Sequence, residues 1–92
     1  MALFYLHLCD GEGYHKDEEG LELADLSAAR AAAVSGLRDT LAGDIQRGRI
    51  NIGSFIDIED SSGQRLDVVH FADAVKIANK TSRVRIEPGG DR

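Results

Sequence analysis

Three side chains near the amino end belong to the types that ligate metals or pair as nucleophile and base: His7, Cys9 and His15. In an extended segment, alternation places His7 and Cys9 on one face. A turn at Asp10-Gly11-Glu12-Gly13 would bring His15 back across a hairpin. Zinc takes three or four thiolate, imidazole or carboxylate ligands at about 2.0–2.3 Å, so Asp10, Asp17 or His70 would have to complete the set. The spacing matches no established zinc pattern, and histidines at a sheet edge serve equally well by hydrogen-bonding a carbonyl or carboxylate. Calcium fares no better. Counted from Asp10, Tyr14, His15 and Leu21 fall where an EF-hand loop needs an oxygen ligand, a glycine and a bidentate glutamate.

Nucleophilic catalysis by Cys9 with His7 needs a third group to orient the base, and none stands out. Gly11-Glu12-Gly13 lacks the third glycine of a phosphate-cradling loop. Asp57 and Glu59 share a strand face, which alternation alone assigns to solvent. Nothing meets the geometric requirements of a catalytic centre. The expectation is therefore a non-enzyme without a cofactor.

The elements that would position these residues are legible along the chain. Residues 2–9 form a short apolar run in which Phe4, Leu6 and Leu8 share one face and Leu3, Tyr5, His7 and Cys9 the other. A strand apolar on both faces is central, or covered on both sides. Residues 14–16 can pair back as a short second strand. Asp25 or Ser27 is a candidate N-cap for the one long helix, residues 26–47. Its stripe is Leu26, Ala29, Ala33, Leu37, Leu41 and Ile45, spaced by three and four. Gly36 within it is either tolerated or needed for close approach to a sheet, and Gly48 suits the helix's C′ position. Ser54–Asp60 and Arg65–Phe71 alternate as two strands around a Ser61-Ser62-Gly63 turn, with Ile56 and Ile58 inward. Residues 72–78 could form a short terminal helix.

The order β-β-α-β-β predicts an α+β fold, a three- or four-stranded antiparallel sheet with one long amphipathic helix packed on one face. Residues 1–78 read as one domain, and 79–92 as a basic, flexible tail. At 92 residues with a single cysteine, the chain is too short for two cores and has no intramolecular disulfide, which fits the cytoplasm. No run reaches the roughly 18 apolar residues of a membrane span. Residues 1–25 carry seven acids against Lys16, and residues 76–92 five bases against two acids, within an overall charge of −5. Such acidity argues against nonspecific binding to a phosphate backbone.

Residues 3–77 resemble a family of short bacterial proteins of unknown function. The likeness lies in Phe4-Tyr5-Leu6-His7-Leu8-Cys9-Asp10-Gly11, the acidic approach Asp17-Glu18-Glu19-Gly20-Leu21-Glu22-Leu23, the helix start Asp25-Leu26-Ser27-Ala28-Ala29-Arg30, and Ile56-Asp57-Ile58-Glu59-Asp60. His70 stands where that pattern has proline before Phe71. The resemblance implies no mechanism. Leu23-Ala24-Asp25-Leu26 and Ala28-Ala29-Arg30-Ala31 are also similar to the helix start of HicB-like antitoxins, which would imply a regulatory role through a bound partner.

One helix covers only one face of such a sheet, and the first strand is apolar on both. The second face then meets solvent or another chain. Leu3, Tyr5 and Phe55 are the candidate contacts, in a homodimer or with a protein partner. An open strand edge offers a further route by pairing.

Overall fold

A computed structural model describes residues 1–80; the basic tail expected over 79–92 lies, from residue 81 on, outside the described residues. The first apolar run has no glycine or proline to interrupt it and extends as β1, Ala2–Asp10. Asp10 closes the turn by accepting the Glu12 N–H on Oδ1 at 2.8 Å, and the chain returns as β2, Gly13–His15. A third strand follows within the acidic approach to the helix, β3, Leu21–Leu23. The order is therefore β-β-β-α-β-β, one strand more than β-β-α-β-β.

Both β2 and β3 run antiparallel to β1, with Leu8 opposite His15 at one end and Phe4 opposite Leu21 at the other. Between them residues 16–20 face only residues 5–7 of β1, so the return ladder is broken by a bulge. Asp17 repairs the break: its Oδ2 accepts the Leu6 N–H at 3.1 Å, while Oδ1 accepts those of Glu19 and Gly20. Gly20 is indispensable to this path, with φ at 78° and a Cβ that would meet Phe4 O at 3.1 Å.

Helix α1, Leu26–Gln46, starts on Asp25, whose side chain accepts the Ala28 N–H. It ends at Arg47 and Gly48, the latter at φ 85°. β4, Phe55–Glu59, and β5, Arg65–His70, form the expected hairpin, and α2 is a single turn, Phe71–Ala74, rather than residues 72–78. The sheet order is β2-β1-β4-β5.

The core lies between α1 and the sheet: Ala29, Ala33, Leu37 and Leu41 against Phe4, Ile56, Ile58, Val69 and Phe71. Ile45 does not join it and is 60% exposed; Leu26, in the first turn, is exposed as well. The reason is rotational. A strict four-residue spacing advances about 40° per step around a helix of 3.6 residues per turn, so four steps from Ala29 carry Ile45 to the far side. Gly36 is not a close-approach device, because among the described residues a methyl there would meet only Ile56 Cδ1, at 3.8 Å.

Arg30 joins three elements by ion pairs to Asp67 of β5 at 2.8 Å and Asp73 of α2 at 3.3 Å. The same two carboxylates accept the N–H groups of Val68 and His70. An amide committed to a carboxylate is not free to template another strand, so the β5 edge is blunted. Among the described residues no helix is long and apolar enough to cross a membrane.

Candidate functional site

The face of the sheet turned away from α1 collects the polar chemistry. Odd-numbered residues of β1 lie there, and the register sets His7 opposite Asp57, Tyr5 opposite Glu59, and Cys9 between Tyr14 and Phe55. Because β4 is an interior strand, its outward side chains are enclosed by both neighbours. Asp57 is only 6% exposed, and the solvent-facing position expected from alternation is corrected accordingly.

His7, 3% exposed, is locked by two bonds. The Asp17 N–H donates to Nδ1 at 2.9 Å, which requires that nitrogen to be unprotonated. Nε2 therefore carries the hydrogen and donates it to Glu59 Oε1 at 3.2 Å. Tyr5 stacks on one side of the ring, with centroids 6.3 Å apart, and Tyr14 tilts against it at 5.6 Å. With both ring nitrogens engaged, His7 has no lone pair left to deprotonate Cys9. The thiol–imidazole pair that the sequence allowed is thus a strut and a neighbour.

The metal trio does not converge. His15 pairs with Leu8 and so projects from the helix-side face, where its Nε2 lies 3.1 Å from Asp10 Oδ1. His7 and Cys9 point the other way. Among the described residues no group of three or more His, Cys, Asp or Glu side chains is placed to hold a metal ion.

Asp57 is the anomaly. Its Oδ1 is buried without a hydrogen-bond partner among the described residues, although the Arg65 Nε stands 3.4 Å away. At that distance and alignment the contact is Coulombic attraction without a directed hydrogen bond, and the Arg65 side chain is itself 63% exposed. A buried acceptor left unmade costs about 1–3 kcal/mol. Glu59 lies two residues along on the same face, so the site holds two carboxylates, one guanidinium and a neutral imidazole. Desolvation, then the carboxylates of Glu59 and Asp57, raises the Tyr14 hydroxyl above its usual 10.0, although the residue as a whole is 53% exposed. Asp17 moves the other way: burial raises its pKa, but the N–H groups of Gly20, Leu6 and Glu19 outweigh it and hold the carboxyl below 3.8.

The three expected contact residues, Leu3, Tyr5 and Phe55, all lie on this outward face and are half-buried. Sequence reasoning missed the role of Asp17 and the burial of Asp57. The first had a signal, since an aspartate three residues before a glycine at a strand break is a turn former. The second had none, because only the strand order shows that β4 is interior. No curated protein and no solved structure matches the chain. Residues 3–72 match the family described as a domain of unknown function, DUF6894, and with most of its length inside that match the chain belongs to this family.

Proposed function

We propose that this is a noncatalytic cytosolic domain that acts by binding another protein through the outward face of its sheet, with Leu3, Tyr5 and Phe55 as contacts. The observation that carries the reading is a half-buried aromatic and apolar surface arranged around a buried carboxylate that lacks a hydrogen bond. Interfaces concentrate their binding energy in such aromatic anchors beside desolvated polar groups. The blunted β5 edge favours the face over strand addition at that margin of the sheet. An antitoxin-like role is one form of this reading, in which the partner is small, basic and encoded beside this chain.

Affinity capture of the tagged protein from its own cell, repeated with substitutions on both faces, tests it. A stoichiometric partner kept by Ala42→Ser on the exposed side of α1 but lost with Leu3→Ser and with Phe55→Ser supports the proposal. Capture that survives both substitutions, or no stoichiometric partner and a monomer in sedimentation, overturns it. A doubled mass in sedimentation, abolished by Phe55→Ser, identifies the partner as a second copy.

A further inference from the structure

We infer that the Asp57–Glu59 pair on the outward face is a seat for a guanidinium group, supplied by an arginine in an extended, basic segment of a partner polypeptide. The inference rests on the interaction reading above and names the chemistry of the partner. Asp57 supplies a desolvated carboxylate oxygen with no directed donor among the described residues. Glu59, two positions away on one strand face, supplies a second carboxylate whose Oε1 is held in place by the His7 Nε2–H. A planar fork of N–H donors meets this arrangement of acceptors better than a point charge does.

The protein's own Arg65 already marks the position. Its Nε reaches 3.4 Å from Asp57 Oδ1, yet the approach leaves that oxygen without a hydrogen bond, and the side chain stays largely in solvent. Arg65 is a loosely held occupant that a better-aligned guanidinium can displace. Around the carboxylates, Tyr5, Tyr14 and Phe55 offer ring surface for a stacked cation.

Next to the seat, a groove of about 470 Å³ runs between the 16–18 loop and the β4–β5 turn. Tyr5 and His7 line it together with Asp17, Glu18, Glu59 and Asp60, against the single cation Lys16. Such a surface complements a basic chain and repels an acidic one. It is open at the surface, as a segment laid along it requires.

The test uses three blocked tripeptides, acetyl-Gly-Arg-Gly-amide, its lysine counterpart and its uncharged citrulline counterpart, titrated into the full chain and followed by amide NMR shifts. The arginine peptide should give saturable shifts at residues 57–59 and Tyr14, and the citrulline peptide none. Arg65→Gln, which removes the resident competitor, should tighten binding by about threefold or more, since a charge-assisted contact is relieved of competition. Asp57→Asn, with the fold checked by circular dichroism, should weaken binding by about tenfold or more. Equal binding of the lysine peptide, no effect of Asp57→Asn, or weaker binding to Arg65→Gln would overturn the guanidinium seat. If the captured partner depends on Phe55 but tolerates Asp57→Asn, the interaction reading stands and the arginine seat falls.

Discussion

The two faces of the same sheet are held by different physics. On the helix side, Phe4, Ile56, Ile58 and Val69 meet Ala29, Ala33, Leu37 and Leu41 in contacts without direction. On the far side, buried His7 and Asp57 sit amid aromatic rings, and His7 is fixed by an amide and a carboxylate at set distances. The difference teaches where stability is stored and where it is given up. An apolar core tolerates no loss of volume, whereas the outward face carries a buried acceptor whose missing hydrogen bond counts against folding.

The sharpest way to break this contrast is from the inside. Leu37→Ala or Ile58→Ala, each removing a fully buried side chain, should lose about 2–5 kcal/mol in denaturant unfolding. A loss under 1 kcal/mol would mean the helix is not the main source of cohesion. Asp17→Ala comes next, because it strands the N–H groups of Leu6, Glu19 and Gly20 at once. A loss of about 1–3 kcal/mol is expected, with faster amide exchange at Leu6 as the local signature.

The same carboxylate predicts an acid response. Its folded pKa lies below 3.8, so the unfolded chain takes up the proton first as the pH falls. The stability it contributes is complete above about pH 4 and is lost as the pH drops through the folded value. Asp17→Asn should flatten that part of the curve in urea titrations at stepped pH. If the slope is unchanged, the loop contributes nothing to acid unfolding.

Replacing Asp57 by valine sharpens the comparison. Removing a buried acceptor that lacks a directed donor should be neutral or stabilising by up to about 1 kcal/mol, while abolishing any binding at that position. A loss of 2 kcal/mol or more, beyond what one lost directed contact accounts for, would make Asp57 a structural residue. The smallest effect is Gly36→Ala. Among the described residues, Ile56 Cδ1 at 3.8 Å is the one atom beyond the helix's own backbone within 4 Å of the added methyl, so a gain of about 0.5–1 kcal/mol is expected. A loss there would restore the close-approach reading.

How much of this was written in the sequence depends on the range of the interaction involved. Local chemistry read well: the Asp25 cap, the Gly48 terminus and the hairpin around Ser61-Ser62-Gly63 all depend on near neighbours. β3 escaped because three residues, Leu21–Leu23, carry too little alternation to announce a strand. Ile45 was misassigned because spacing by fours looks like a stripe while it slowly circles the helix. For the site, Leu3, Tyr5, His7 and Phe55 were found on one face, since alternation fixes facing. What it cannot supply is what lies beside a face. The separation of His15 from His7 and the enclosure of Asp57 both follow from pairing between distant segments.

The tethering of two β5 amides by Asp67 and Asp73 has a consequence for crowding. Molecules packed closely together find no ready strand to zip onto at β5, so growth of ordered fibres through that edge is suppressed. The His70 N–H, then Arg30, hold the Asp73 carboxyl below its usual 3.8, against the opposing pull of desolvation. Strong acid would eventually neutralise that latch and leave the strand's outer margin adhesive, so concentrated samples should gel on acidification before they do so at neutral pH.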